Sequence, residues 1–231
     1  IENLSDKIAI VQSELDELHR QLVNLAVDLS EKRAKAARIL CQKVEKELDN
    51  LHMSQTQFEV QCRPIPALKD CDPYLSADGH AIGESGFDRV TFMIAPNPGE
   101  AIKPLAHIAS GGELSRVVLA LKAILADTDA VATIVFDEVD AGIGGKVADA
   151  VGQKLKTLAR RHQIICITHL PQIAKFAEHH FKIIKSVLDG RTKTTICPMD
   201  QKERVQEIAR MLGGAKITQT TLKHARELLE S

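Results

Sequence analysis

The sequence predicts an α/β fold carrying a coiled-coil arm, and two patterns support that expectation. Apolar residues at Leu4, Ile8, Val11, Leu15, Leu18, Leu22, Leu25 and Leu29 keep a strict 3-4 alternation for about four heptads from Ile1. Farther on, apolar strand patterns at residues 132–136 and 163–168 bracket a helical pattern over about 146–161. Strand, helix, strand with apolar strands implies a βαβ unit in a parallel sheet.

The first pattern is a coiled-coil seam, because a helix packed on a globular core shows a wider apolar stripe at period 3.6. At about 1.5 Å per residue it makes an arm of roughly 40 Å. No later stretch repeats the heptads, so the second strand of the coil belongs to another segment or another copy. The seam loses phase at Lys32 and Arg33 and resumes through Ala37, Leu40, Val44, Leu48 and Leu51. That shift divides the chain into an arm, residues 1–31, and a head portion, residues 32–231, entered by a docking helix.

Beyond Leu51, residues 58–62 and 89–95 alternate as half-buried strands, with turns at Asp78-Gly79 and over 96–99. Ser110 to Glu113 opens a helical pattern through Leu125. After the βαβ unit, Asp189-Gly190 turns a hairpin between residues 182–188 and 192–197. Asp200 with Glu203 reads as a capping box, and residues 217–229 close the chain as a helix.

Composition narrows the class. The chain has 231 residues, 44% hydrophobic and 26% charged, which is the profile of a folded protein and not a disordered tail. Its longest apolar run, residues 130–136, is far short of a membrane span. Net charge is -1, so a nucleic-acid partner would have to meet a local basic face. Aromatics at 3% argue against base-stacking platforms. Five cysteines without a CxxC pair fit neither a disulfide framework nor a thiol zinc cluster, and point to a reducing cytoplasm. The chain opens on Ile1 with no initiator Met, basic n-region or cleavage signal, and is expected to be a segment of a longer protein.

The chemistry gathers at strand ends. Residues 133–136 run into Asp137-Glu138, placing two carboxylates at the carboxyl edge of a parallel sheet, where such sheets bind ligands. Asp137 can hold Mg²⁺ and Glu138 can orient and deprotonate an attacking water; equally, an Asp at a strand end is often just a turn or helix cap. Ser110-Gly111-Gly112 stands immediately before a helix, 24 residues upstream of Asp137 counted from Glu113. Backbone N–H groups and a hydroxyl at a helix N-terminus form an anion site. Thr168-His169 ends the next strand on the same edge, where His169 can contact a terminal phosphate or simply pack. A zinc reading of His162, Cys166 and His169 lacks a fourth ligand. Asp140, in the loop after Glu138, is placed to cross a subunit interface. Lys32, Arg33, Lys35, Arg38, Lys43 and Lys46 give the joint helix a basic face, either for DNA phosphates or, more commonly, a solvated face.

In this order the elements resemble the ATP-binding-cassette ATPases. Ser110, Gly111, Gly112 and Glu113 match their signature motif, Ile134 to Glu138 the Walker B strand, Asp140 the D-loop aspartate and His169 the switch histidine. Transporter cassettes usually have Leu and Gln where Ala109 and Glu113 stand, and the coil entering the head looks like the SMC-like branch. More narrowly, the runs from Ala95 to Glu100, Ile108 to Arg116, Phe136 to Ile143 and Ile167 to Ala174 closely resemble its bacterial recombinational-repair members. Gly144 departs, where many relatives carry Ser.

The resemblance implies the C-terminal lobe of an ABC/SMC-type P-loop ATPase head with a protruding coiled-coil helix. It implies ATP and Mg²⁺ as cofactors: Asp137 for the metal, Glu138 as general base, His169 as phosphate sensor, and Ser110, Gly111, Gly112, Glu113 and Asp140 toward nucleotide. The implied partners are DNA, an N-terminal half carrying Walker A and the second coil strand, and a second head in an ATP-sandwiched homodimer, with no membrane. The expected setting is the bacterial cytoplasm near the nucleoid, in double-strand-break repair by recombination. A Walker A loop, GxxxxGK[ST], is absent: the only Gly-Lys is Gly145-Lys146, followed by Val147. Without its lysine the β- and γ-phosphates lack their main cradle, and the chain alone is expected to be inactive. An ATP-gated DNA-bridging module with little turnover, another SMC-type head and a transporter cassette are the competing readings.

Overall fold

The structure, a computed structural model, describes residues 2–128, 130–188, 191–214 and 216–230. In chain order it contains α1 (Glu2–Asn50), β1 (Gln57–Pro64), β2 (Ser76–Ala77), β3 (His80–Ala81), β4 (Asp88–Ala95), β5 (Lys103–Pro104), α2 (Gly111–Leu125), β6 (Thr133–Phe136), α3 (Gly145–Leu158), β7 (Gln163–Cys166), α4 (Pro171–Ala174), β8 (Phe181–Leu188), β9 (Arg191–Pro198), α5 (Gln201–Gly213) and α6 (Gln219–Glu230). Two compact units are present. One joins the chain up to Lys46 with Gln55–His107; the other joins Glu47–Ser54 with Ile108–Ser231.

In the first unit, β4 lies between β1 and the short β5, all antiparallel. Phe58 and Ile94, cross-strand partners, are buried with Val44 of α1. α1 meets this unit along a stripe one residue out of step with the seam. Asp16 accepts from the Tyr74 hydroxyl at 3.2 Å, and His19 Nδ1 meets Tyr74 O at 2.9 Å. Ser30 donates to Asp88 Oδ1 at 3.0 Å, and Arg33 reaches Ser85 O at 2.7 Å and Asp88 Oδ2 at 3.5 Å. Consecutive helical positions lie about 100° apart, so seam and stripe occupy adjacent faces. The seam residues Leu4, Ile8, Val11, Leu15, Leu18 and Leu25 consequently stay exposed. The helix passes unbroken through Lys32 and Arg33, so the phase shift changes which face is used without interrupting the hydrogen-bond ladder.

In the second unit, β6 and β7 pair in parallel, Thr133 opposite Gln163 and Phe136 opposite Cys166, with α3 as crossover. This is the expected βαβ unit. Ile134 and Phe136 are buried, as are Val151, Leu155 and Leu158 of α3. Gly152 leaves α3 a gap that the Phe176 ring fills. The strands are not buried on both faces: Val135 and Ile165 are 59% and 47% exposed. α3 covers only one side of a two-stranded sheet.

The Asp200–Glu203 capping box forms and starts α5; Gly214 follows at φ 74°, where a side chain is disfavoured. Ile208 and Ala209 of α5 pack with Ala174 and with Ala225 of α6. The hairpin of β8 and β9 is as expected, while its Asp189-Gly190 turn lies outside the described residues. Glu207 of α5, nearly buried, is held by Arg210 at 2.6 Å and by Lys182 of β8 at 2.7 Å. Hydrogen bonding from Arg210, then Lys182, keeps its carboxyl below the ordinary value of 4.5 despite burial. A depressed folded pKa gives stability that is present above the unfolded value and lost as pH falls through the folded one. Glu207→Gln should therefore cost about 1–2 kcal/mol at neutral pH. Denaturant titrations of the variant should also show a shallower loss of stability between about pH 5 and pH 3 than the parent.

Candidate functional site

Every residue singled out at the strand ends and the glycine turn lies in the second unit. α2 begins where Ser110, in extended conformation, caps the helix, its Oγ accepting from Glu113 N at 3.4 Å. Gly112 is required by closeness and not by φ, whereas a side chain at Gly111 would have to displace the Glu138 carboxylate. A Cβ on Gly111 would overlap the Glu138 carboxylate; one on Gly112 would lie 2.8 Å from Ala141 Cβ and 3.0 Å from Ala141 O. The glycines let the helix N-terminus press directly on the loop that follows β6.

That loop is a tight turn. Glu138 adopts φ 57°, a left-handed conformation that costs a side-chain-bearing residue about 1–2 kcal/mol. The bend lays its carboxylate against the first turn of α2. Asp137 Oδ1 accepts from Glu138 N at 2.9 Å, and Ala141 N donates to Glu138 O at 3.0 Å. Two α2 side chains fasten the turn: Ser115 donates to Asp137 O at 2.7 Å, and Arg116 donates to Ala141 O at 3.0 Å. Arg116 is only 8% exposed, and burial pulls its pKa down while the guanidinium stays cationic. Sequence reasoning gave neither residue a role, although an arginine amid Leu114, Val117 and Val118 on a buried helix was a usable signal.

His169 and Asp140 meet. Asp140 is 4% exposed and turns inward. Its Oδ2 accepts from Thr168 Oγ1 at 2.6 Å and from His169 N at 2.9 Å, and lies 3.0 Å from His169 Nδ1. Through that oxygen the side chain is bonded within its own chain. The His169 side chain is 74% exposed, so the rest of the ring faces outward. Thr168, whose hydroxyl was also given no role, completes the cluster.

Asp137 and Glu138 are exposed, at the carboxyl end of β6. A single carboxylate open to solvent fits Mg²⁺ as that ion is held in nucleotide sites, by one or two carboxylates, phosphate oxygens and water. Zinc does not fit. His162 Nδ1 donates to Val131 O at 2.6 Å, and burial, then Asp140 and Asp137, push the Cys166 thiol up to about 12. Among the described residues no cluster of three or more His, Cys, Asp or Glu side chains could hold a metal. Gly144 caps α3 without a side-chain hydrogen bond, so the departure from Ser leaves that helix start weaker by a few tenths of a kcal/mol. On the basic face, Lys32 is paired with Asp28 and Arg33 with Asp88, while Lys35, Arg38, Lys43 and Lys46 are exposed.

No family model matches the chain. Among curated proteins, the DNA repair protein RecN of Bacillus subtilis (strain 168) is 38% identical over 231 residues, all of this chain and 40% of that protein. RecN of Mycobacterium leprae (strain TN) is 42% identical over 232 residues, 98% of this chain and 39% of that protein. Among solved structures, the Smc head domain with an extended coiled coil from Pyrococcus furiosus, bound to the C-terminal domain of ScpA, superposes with TM-score 0.53 at 16% identity. It covers 90% of this chain and 47% of that one. The Smc head domain with a coiled coil and joint from Pyrococcus yayanosii gives TM-score 0.53 at 16% identity, covering 93% and 35%. The α/β fold is thus that of an SMC-type head lobe, and by sequence the chain is similar to the RecN DNA repair proteins, spanning about two fifths of its relatives' length.

Proposed function

We propose that the chain is the C-terminal part of an SMC-like ATPase acting in recombinational repair of DNA double-strand breaks. The observation that carries the reading is the fastening of the Ser110–Glu113 turn to the Asp137–Ala141 loop. It joins an anion-binding helix N-terminus to two exposed carboxylates and, through Asp140, to His169. A lone glycine turn or strand-end aspartate would carry far less.

ATP would be held between two heads, each completed by a segment bearing Walker A. Asp137 would hold Mg²⁺, which neutralises charge on the β- and γ-phosphate oxygens. Glu138 orients a water and takes its proton as the oxygen bonds to the γ-phosphorus and the bond to the ADP oxygen breaks. His169 offers its outward nitrogen to a γ-phosphate oxygen. Ser110, Gly111, Gly112 and Glu113, at the positive end of α2, close on the γ-phosphate of the opposite head. Two open apolar surfaces favour a completing segment: the seam of α1, and the uncovered face of β6 and β7 at Val135 and Ile165. The arm at residues 1–31 would take the second coil strand, and DNA would meet local basic surfaces.

The test is to combine the chain with a Walker A-bearing segment carrying the matching coil strand and to measure ATP hydrolysis with and without DNA. Hydrolysis should need both parts; robust turnover by the chain alone would overturn the half-site reading. A DNA-bridging clasp would instead show binding with almost no turnover. Glu138→Gln should lower turnover by about 10²-fold or more while retaining bound ATP and the head dimer. Unchanged hydrolysis in that variant would remove Glu138 from its role. Gly112→Ala, which must displace Ala141, should lower turnover by at least about tenfold with the helical circular dichroism signal preserved.

A further inference from the structure

We propose that Asp140, together with Thr168, is a positioning residue for His169 within its own chain, setting which ring nitrogen faces the terminal phosphate of a nucleoside triphosphate. The proposal rests on the reading of His169 as the phosphate contact. Three groups converge on one oxygen, Oδ2 of Asp140: the Thr168 hydroxyl at 2.6 Å, the His169 backbone N–H at 2.9 Å and His169 Nδ1 at 3.0 Å. A carboxylate oxygen 3.0 Å from Nδ1 favours the tautomer that carries its hydrogen there. The neutral ring then presents Nε2 as a bare acceptor, and the protonated ring presents Nε2–H as a donor to phosphate oxygen.

The clamp is specific because it grips His169 twice. The backbone N–H places the Cα, and the close approach of Nδ1 to the same oxygen restrains the ring. Thr168 stiffens the same point: its hydroxyl donates to Asp140 and accepts from Leu170 N at 3.0 Å, holding the turn into α4. Asp140 is itself buried and sits between Val139, which is fully buried, and Ala141, whose carbonyl Arg116 holds. The exposed partner is the histidine alone.

Two measurements test this. In the 231-residue chain labelled with ¹⁵N-histidine, long-range proton–nitrogen correlation at alkaline pH should show His169 as the Nδ1–H tautomer, assigned by its disappearance in His169→Gln. An Nε2–H tautomer overturns the proposal, whatever the enzymology shows. In the assembly with the Walker A segment, Asp140→Asn should lower kcat about tenfold with nucleotide affinity unchanged. In a His169→Ala background the same change should alter kcat by less than about twofold. Thr168→Val should behave like Asp140→Asn and Thr168→Ser like the parent. Multiplying effects of Asp140→Asn and His169→Ala would place Asp140 elsewhere, such as across an interface, and sink the proposal. Failure of the hydrolysis reading appears separately, as turnover that survives Glu138→Gln while the tautomer stays Nδ1–H.

Discussion

The placement of every candidate group depends on one constraint, the contact between the first turn of α2 and the loop that leaves β6. Gly112 removes the side chain that would hold the helix off, and Ser115 and Arg116 then bond the loop's carbonyls from one turn farther along. Glu138 absorbs the strain of the turn in its left-handed backbone. A buried arginine held by a carbonyl is an expensive device, since its desolvation is only partly offset. It is tolerated where a loop must keep one shape, and this loop carries three carboxylates within four residues.

The same economy explains the second attachment of that loop. Asp140 is buried, and a buried polar group must find hydrogen-bond partners. Thr168 and His169 supply them from the end of β7, so the loop is fastened to α2 on one side and to the neighbouring strand on the other. The ends of two parallel strands and the start of one helix thereby hold Glu138 and His169 on one scaffold, outward-facing and exposed.

The apolar surfaces left open are of a different kind from the scattered exposed residues common on folded proteins. The α1 seam is contiguous at heptad spacing, and the free face of β6 and β7 belongs to a sheet too small to stand alone. Both features fit a chain that spans about 40% of the RecN proteins it matches.

Much was legible along the chain because the deciding physics is local. Heptad spacing marks the long helix, Asp200 and Glu203 mark the start of α5, and Ser110 before two glycines marks the start of α2. Motif order was enough to gather Ser110, Gly111, Gly112, Asp137, Glu138 and His169 into one candidate site, because strand ends and helix starts fall on a common edge in a βαβ unit. The sequence by itself determined the elements, their order and the chemistry on offer. Tertiary structure alone decided that Asp140 meets Thr168 and His169, that Arg116 and Thr168 are fasteners, and that one sheet face stays open. Each of those outcomes turns on which donor lies near a buried oxygen, or on what covers a strand, and neither is written in the spacing of residues along a chain.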